Sequence, residues 1–152
     1  MSIFRKAYSV FGALLMLQFF LQLYFIAGAI FTIFSANDNA NDVYASFKNA
    51  DGFAGLHAIN GYLTGINILI LLGLAFGSRF PRRTIILTAV LFVLLVLQIV
   101  LARMPVPPLA ALHGINALIL VGLGGYLVGS TWAFGRRAAV TAAETGEPVG
   151  RS

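Results

Sequence analysis

Four apolar runs, each long enough to cross a bilayer, leave this chain few folds to choose from. They extend from about Tyr8 to Phe34, Leu56 to Ser78, Thr84 to Ala102 and Leu109 to Phe134. A helix needs roughly 20 apolar residues to span the hydrocarbon, and each run supplies about that many or more. No water is available there to satisfy backbone N–H and C=O groups, so each run must be a helix that bonds internally. The first run exceeds the apolar core of about 7–15 residues of a signal peptide and is read as a retained helix. Hydrophobic residues make up 59% of the 152 and charged residues 10%. A soluble domain of this size has too little interior to hide that much apolar surface, so lipid must cover it.

The connections set the topology. Arg79-Phe80-Pro81-Arg82-Arg83 and Met104-Pro105-Val106-Pro107-Pro108 are tight turns stiffened by proline, which make their flanking helices antiparallel neighbours. The fold expected is all-α, a transmembrane four-helix up-down-up-down bundle over residues 1–137. A small, polar, disordered tail is expected over residues 138–152. The one long connection, Ser35 to Gly55, carries Val43, Tyr44 and Phe47 at helical spacing. It reads either as a short helix on the membrane surface or as an irregular loop.

The net charge is +5, but its distribution argues against nucleic acid as a partner. Arg5 and Lys6 precede the first run, Arg79, Arg82 and Arg83 separate the second from the third, and Arg136 and Arg137 follow the fourth. The other side carries Asp38, Asp42 and Asp51 with Lys48 and Arg103. By the positive-inside rule, both termini are expected in the cytoplasm and the chain in the plasma membrane as a multi-pass protein. The partners expected are membrane lipid and either a membrane redox partner or further copies of the chain. There is no cysteine, which removes disulfides, thiolate metal sites and cysteine nucleophiles.

One motif recurs. Leu56-His57-Ala58-Ile59-Asn60 opens the second run, and Leu112-His113-Gly114-Ile115-Asn116 stands 56 residues later near the start of the fourth. Leu21-Gln22-Leu23 in the first run is echoed by Leu97-Gln98-Ile99 in the third. Together they suggest two related helix hairpins, a parallel repeat about an axis along the membrane normal.

The second and fourth helices enter from the same side, so His57 and His113 are expected at similar depth on diagonal helices. Two inward imidazoles across such a gap suit the two faces of a haem iron, and bundle cores are recurrent cofactor sites. Asn60 and Asn116, three residues on, share the histidines' faces, either fixing the imidazole tautomers or serving as interhelical glue. Arg103 reads either as a partner for a haem propionate or as an interfacial anchor. Glycines at 61, 65, 73 and 77, with others at 114, 122, 125 and 129, leave gaps for a flat ring or, more commonly, for close helix packing. No span contains Asp or Glu, and no hydrolase or nucleotide-binding motif is present, so an enzyme is not indicated.

This arrangement, with His57 and His113 near matching ends of the second and fourth helices, resembles one half of a haem A synthase. In that family each half holds a haem-type group between such histidines. Where the family has an acidic residue just before its first histidine, this chain has Phe53-Ala54-Gly55-Leu56. The chain looks still more like uncharacterised small four-helix bacterial membrane proteins with paired histidines. The expected function is therefore binding of one b-type haem for electron transfer or redox sensing. A cofactor-free accessory or scaffold protein is the alternative, and a small-molecule permease a third reading.

Overall fold

The computed structural model describes residues 3–38 and 43–134. Arg136, Arg137 and the expected tail at 138–152 lie outside the described residues. Four helices follow one another: α1 (Ile3–Asp38), α2 (Val43–Gly77), α3 (Arg82–Leu101) and α4 (Pro107–Thr131). All four are long and apolar enough to cross a membrane, and no strand occurs among the described residues. Side chains such as Phe20, 70% exposed, and Leu118, 69% exposed, have only lipid to cover them. The chain is an integral membrane protein.

Each helix packs on two neighbours, α1 on α2 and α4, and α3 on α2 and α4, whereas α2 and α4 stand on a diagonal with no close backbone approach. The basic end is sealed by side chains. Tyr8 Oη and Thr88 Oγ1 share a buried hydrogen bond of 2.8 Å between α1 and α3, and the Phe80 ring meets Tyr8 edge-on at 5.0 Å. The Ala133 amide donates to Ser9 Oγ at 2.9 Å, joining the end of α4 to α1. Above that seal, Leu15, Phe19, Ile68, Leu71, Leu91, Leu95, Leu120 and Leu127 form the core. Arg79 ends α2 in the left-handed region with φ 51°, and Pro81 starts α3, so the turn is as tight as its sequence suggests.

The boundaries differ from the hydropathy reading most at α2, and α1 also extends beyond its apolar run at both ends. α2 starts at Val43, not near Leu56, so most of the supposed loop is helix. Its 35 residues measure about 52 Å, well beyond a hydrocarbon core of about 30 Å. The extra turns pack along the end of α1, burying Ala29 from α1 and Ser46 and Ala50 from α2. Gly28 makes this possible, because a Cβ there would fall 2.7 Å from the Phe53 ring. Gly52, Gly55, Lys48 and Asp51 lower the hydropathy of this stretch and look like loop signals. Packing against α1 outweighs them, since a glycine inside a helix costs only about 1 kcal/mol.

Candidate functional site

His57 is half-buried on α2, and its Nδ1–H donates to the Gln22 carbonyl of α1 at 3.2 Å. A carbonyl only accepts, so in the neutral ring the proton sits on Nδ1 and Nε2 keeps its lone pair. One turn further in, Asn60 Nδ2 donates to the Gln18 carbonyl at 2.8 Å. The second hairpin makes the same two bonds. His113 Nδ1–H donates to the Gln98 carbonyl at 3.1 Å, and Asn116 Nδ2 to the Leu94 carbonyl at 2.9 Å. Gln18 precedes Gln22, and Leu94 precedes Gln98, by one α-helical hydrogen-bond step. The cause is helical geometry: residues three apart share a face, and carbonyls four apart lie in one row along the neighbouring helix.

The two imidazoles meet across the α2–α4 diagonal with ring centres 6.4 Å apart and planes at 55°. A ligating imidazole nitrogen lies about 2.0–2.1 Å from its metal and roughly 1.2 Å from its own ring centre, so one ion between two rings sets their centres about 6.4 Å apart. The observed spacing matches that value. Among the described residues, no group of three or more His, Cys, Asp or Glu side chains could hold a metal ion. The pair therefore offers two nitrogen donors and nothing more. That suits a metal that brings its own equatorial ligands and suits a bare ion poorly.

The hairpins differ around this shared pattern. Asn116 Nδ2 also donates to Gln98 Oε1 at 2.6 Å, whereas Gln22 Oε1 is buried without a partner. Gln18 Oε1 instead accepts from Asn67 Nδ2 at 2.7 Å, and the same Nδ2 reaches the Phe11 carbonyl at 3.1 Å. Thr64 bonds its own helix at the Asn60 carbonyl, 2.8 Å away. A ladder of polar groups thus runs down the α1–α2 seam, where the α3–α4 hairpin has one layer.

Of the residues singled out by sequence, the structure brings His57 and His113 together. Asn60 and Asn116 are buried beside them, but neither amide hydrogen-bonds an imidazole, and the main-chain carbonyls of Gln22 and Gln98 set the tautomers instead. Arg103 stands apart. Its Nη2 donates to Tyr62 Oη at 3.3 Å on the exposed surface, and Tyr62 lies about 140° around α2 from His57. The glycines divide too. Gly61 faces Gln22 and Gly65 faces Leu95, but a Cβ at Gly73, Gly114, Gly122 or Gly129 would meet nothing within 4 Å. Gly12 and Gly124, outside the proposed stripes, are the ones that let α1 and α4 close on each other. The carbonyl partners had one faint trace in the sequence, the Leu-Gln echo at Gln22 and Gln98.

Residues 44–105 match the profile of a family of unknown function (DUF6220). That stretch covers α2, α3 and their connection, so it contains His57 and Gln98 and stops short of His113. No curated protein and no solved structure matches the chain, and neither comparison adds to the likeness to haem A synthase.

Proposed function

We propose that this integral membrane protein holds one b-type haem between His57 and His113 and serves in electron transfer or redox sensing. The observation that carries the reading is the 6.4 Å separation of two imidazoles whose Nδ1 atoms are both committed to main-chain carbonyls. Those bonds hold each ring in place and fix its tautomer, as such partners do for ligating histidines in general. His57 and His113 would hold the group through their Nε2 atoms, and it would supply one-electron chemistry there. The chain's share of the work is to hold two Nε2 atoms at a fixed spacing, at one depth, on helices whose backbones stay apart. The matching bonds of the two hairpins support an origin by duplication, which would set both ligands in equivalent places. In this reading the basic end faces the cytoplasm, following the positive-inside rule.

A cofactor-free scaffold is favoured by a different observation. Each histidine bonds within its own hairpin, so the His–Asn pairs also act as interhelical glue without any ligand. Haem content separates the two. Protein expressed with ample haem and purified in mild detergent is expected to retain one haem per chain. A folded protein that retains none supports the scaffold.

A further inference from the structure

A second polar concavity lies at the opposite end of the bundle from the histidines. It is a cavity of about 250 Å³ between α1, α3 and the end of α4, lined among others by Arg5, Phe80, Thr84, Thr131 and Trp132. Arg5 is half-buried there and is held on two sides. Its Nε–H donates to the Ser78 carbonyl at 3.4 Å, and its guanidinium carbon sits 5.1 Å from the centre of the Phe80 ring. Among the described residues its two Nη groups have no acceptor, and none of the described residues at this end carries a carboxylate. The first turn of α3 borders the same space. Pro81 precedes it without a side-chain cap, and the turn carries Arg82 and Arg83.

We propose that this cavity binds a phosphate group at the membrane surface, either in the headgroup of an anionic phospholipid or as free phosphate. A guanidinium pinned through Nε and stacked on a ring presents its Nη pair as a fork, the geometry that suits two phosphate oxygens. Partial positive charge at the uncapped start of α3 adds to the attraction. Thr84 brings a hydroxyl to the same space. Basic pockets between helices at a membrane face are recurrent headgroup sites, and Trp132 stands at the level where interfacial aromatics gather.

The test is native mass spectrometry of the protein extracted from mixed phosphatidylglycerol and phosphatidylcholine bilayers, with an inorganic-phosphate titration of delipidated protein alongside. The wild type is expected to retain phosphatidylglycerol at least about fivefold over phosphatidylcholine, with Arg5→Gln removing the preference and Arg5→Lys keeping part of it. Phosphate that binds and displaces the lipid identifies free phosphate as an occupant. Lipid retention without phosphate binding identifies the headgroup. Equal retention of both lipids together with no phosphate binding overturns the proposal, as does an Arg5→Gln protein that behaves like wild type. Should Arg5→Gln fail to fold, Thr84→Val takes its place: weakened retention supports the site, and unchanged retention overturns it.

Discussion

His57 and His113 face each other across the α2–α4 diagonal at a ring-centre distance of 6.4 Å, and each is tied by Nδ1 to a glutamine carbonyl of its own hairpin. Each ring is oriented by a bond within its own hairpin, and the packing of one hairpin on the other brings the two rings together. Both nitrogens available to a ligand are the same atom type, in the same tautomer.

Asn116 is the most committed amide in the second hairpin, with one Nδ2 shared between the Leu94 carbonyl and Gln98 Oε1. Replacing it with Leu leaves Gln98 Oε1 unpaired in an apolar setting and removes the second bond to the Leu94 carbonyl, which keeps its helical one. We expect Asn116→Leu to destabilise the fold by about 1–2 kcal/mol, near the upper end for polar contacts between membrane helices. Unfolding in bicelles or mixed micelles measures it, with surface Leu118→Ala as a near-neutral control.

The seal at the basic end rests on Tyr8 and Thr88. Tyr8→Phe removes the bond between them but leaves Thr88 Oγ1 donating to the Thr84 carbonyl at 2.9 Å. We expect a loss of about 1 kcal/mol for Tyr8→Phe, and a double-mutant cycle with Thr88→Val to show coupling of similar size.

Glycines separate into those that admit a neighbour and those that do not. Gly28→Ala should force the Phe53 ring aside and cost about 1–3 kcal/mol, loosening the α1–α2 extension first. Gly122→Ala meets open space and should be neutral or stabilise by up to about 1 kcal/mol through helix propensity. Thermal melts of the two variants, with proteolysis near the 39–42 connection, distinguish these outcomes.

Orientation is open to cysteine labelling, helped by the absence of native cysteine. Val106 and Tyr44 are exposed at one end of the bundle and Arg82 at the other. In intact cells an impermeant maleimide should label Val106→Cys and Tyr44→Cys but reach Arg82→Cys only after permeabilisation. Ser78 would be a poor reporter because it is buried. Labelling of Arg82→Cys in intact cells would reverse the topology.

Much of the architecture was legible in the residues. Hydropathy located the spans because lipid imposes one solvent along their length, and the five-residue echo picked out His57 and His113, whose ring centres lie 6.4 Å apart. Two things were not legible. The helix from Val43 to Gly55 is supported by α1, a tertiary partner, so its glycines and charges left a surface helix and a loop both open. The groups that set the histidine tautomers are main-chain carbonyls, which every residue carries and which only the faint Leu-Gln echo at Gln22 and Gln98 marks. Arg103 bonds Tyr62 on the exposed surface, which suits the interfacial-anchor reading: depth in the membrane can be read from sequence, but the face it shares with Tyr62 cannot.

Whether His57 and His113 together hold one haem is read from the oxidised and reduced absorbance spectra of haem-supplemented protein. We expect a low-spin b-type spectrum in the wild type, which His57→Ala and His113→Ala each abolish or convert to a weaker five-coordinate form. A colourless, well-folded wild type, or a haem spectrum unchanged by both substitutions, would contradict a shared haem site.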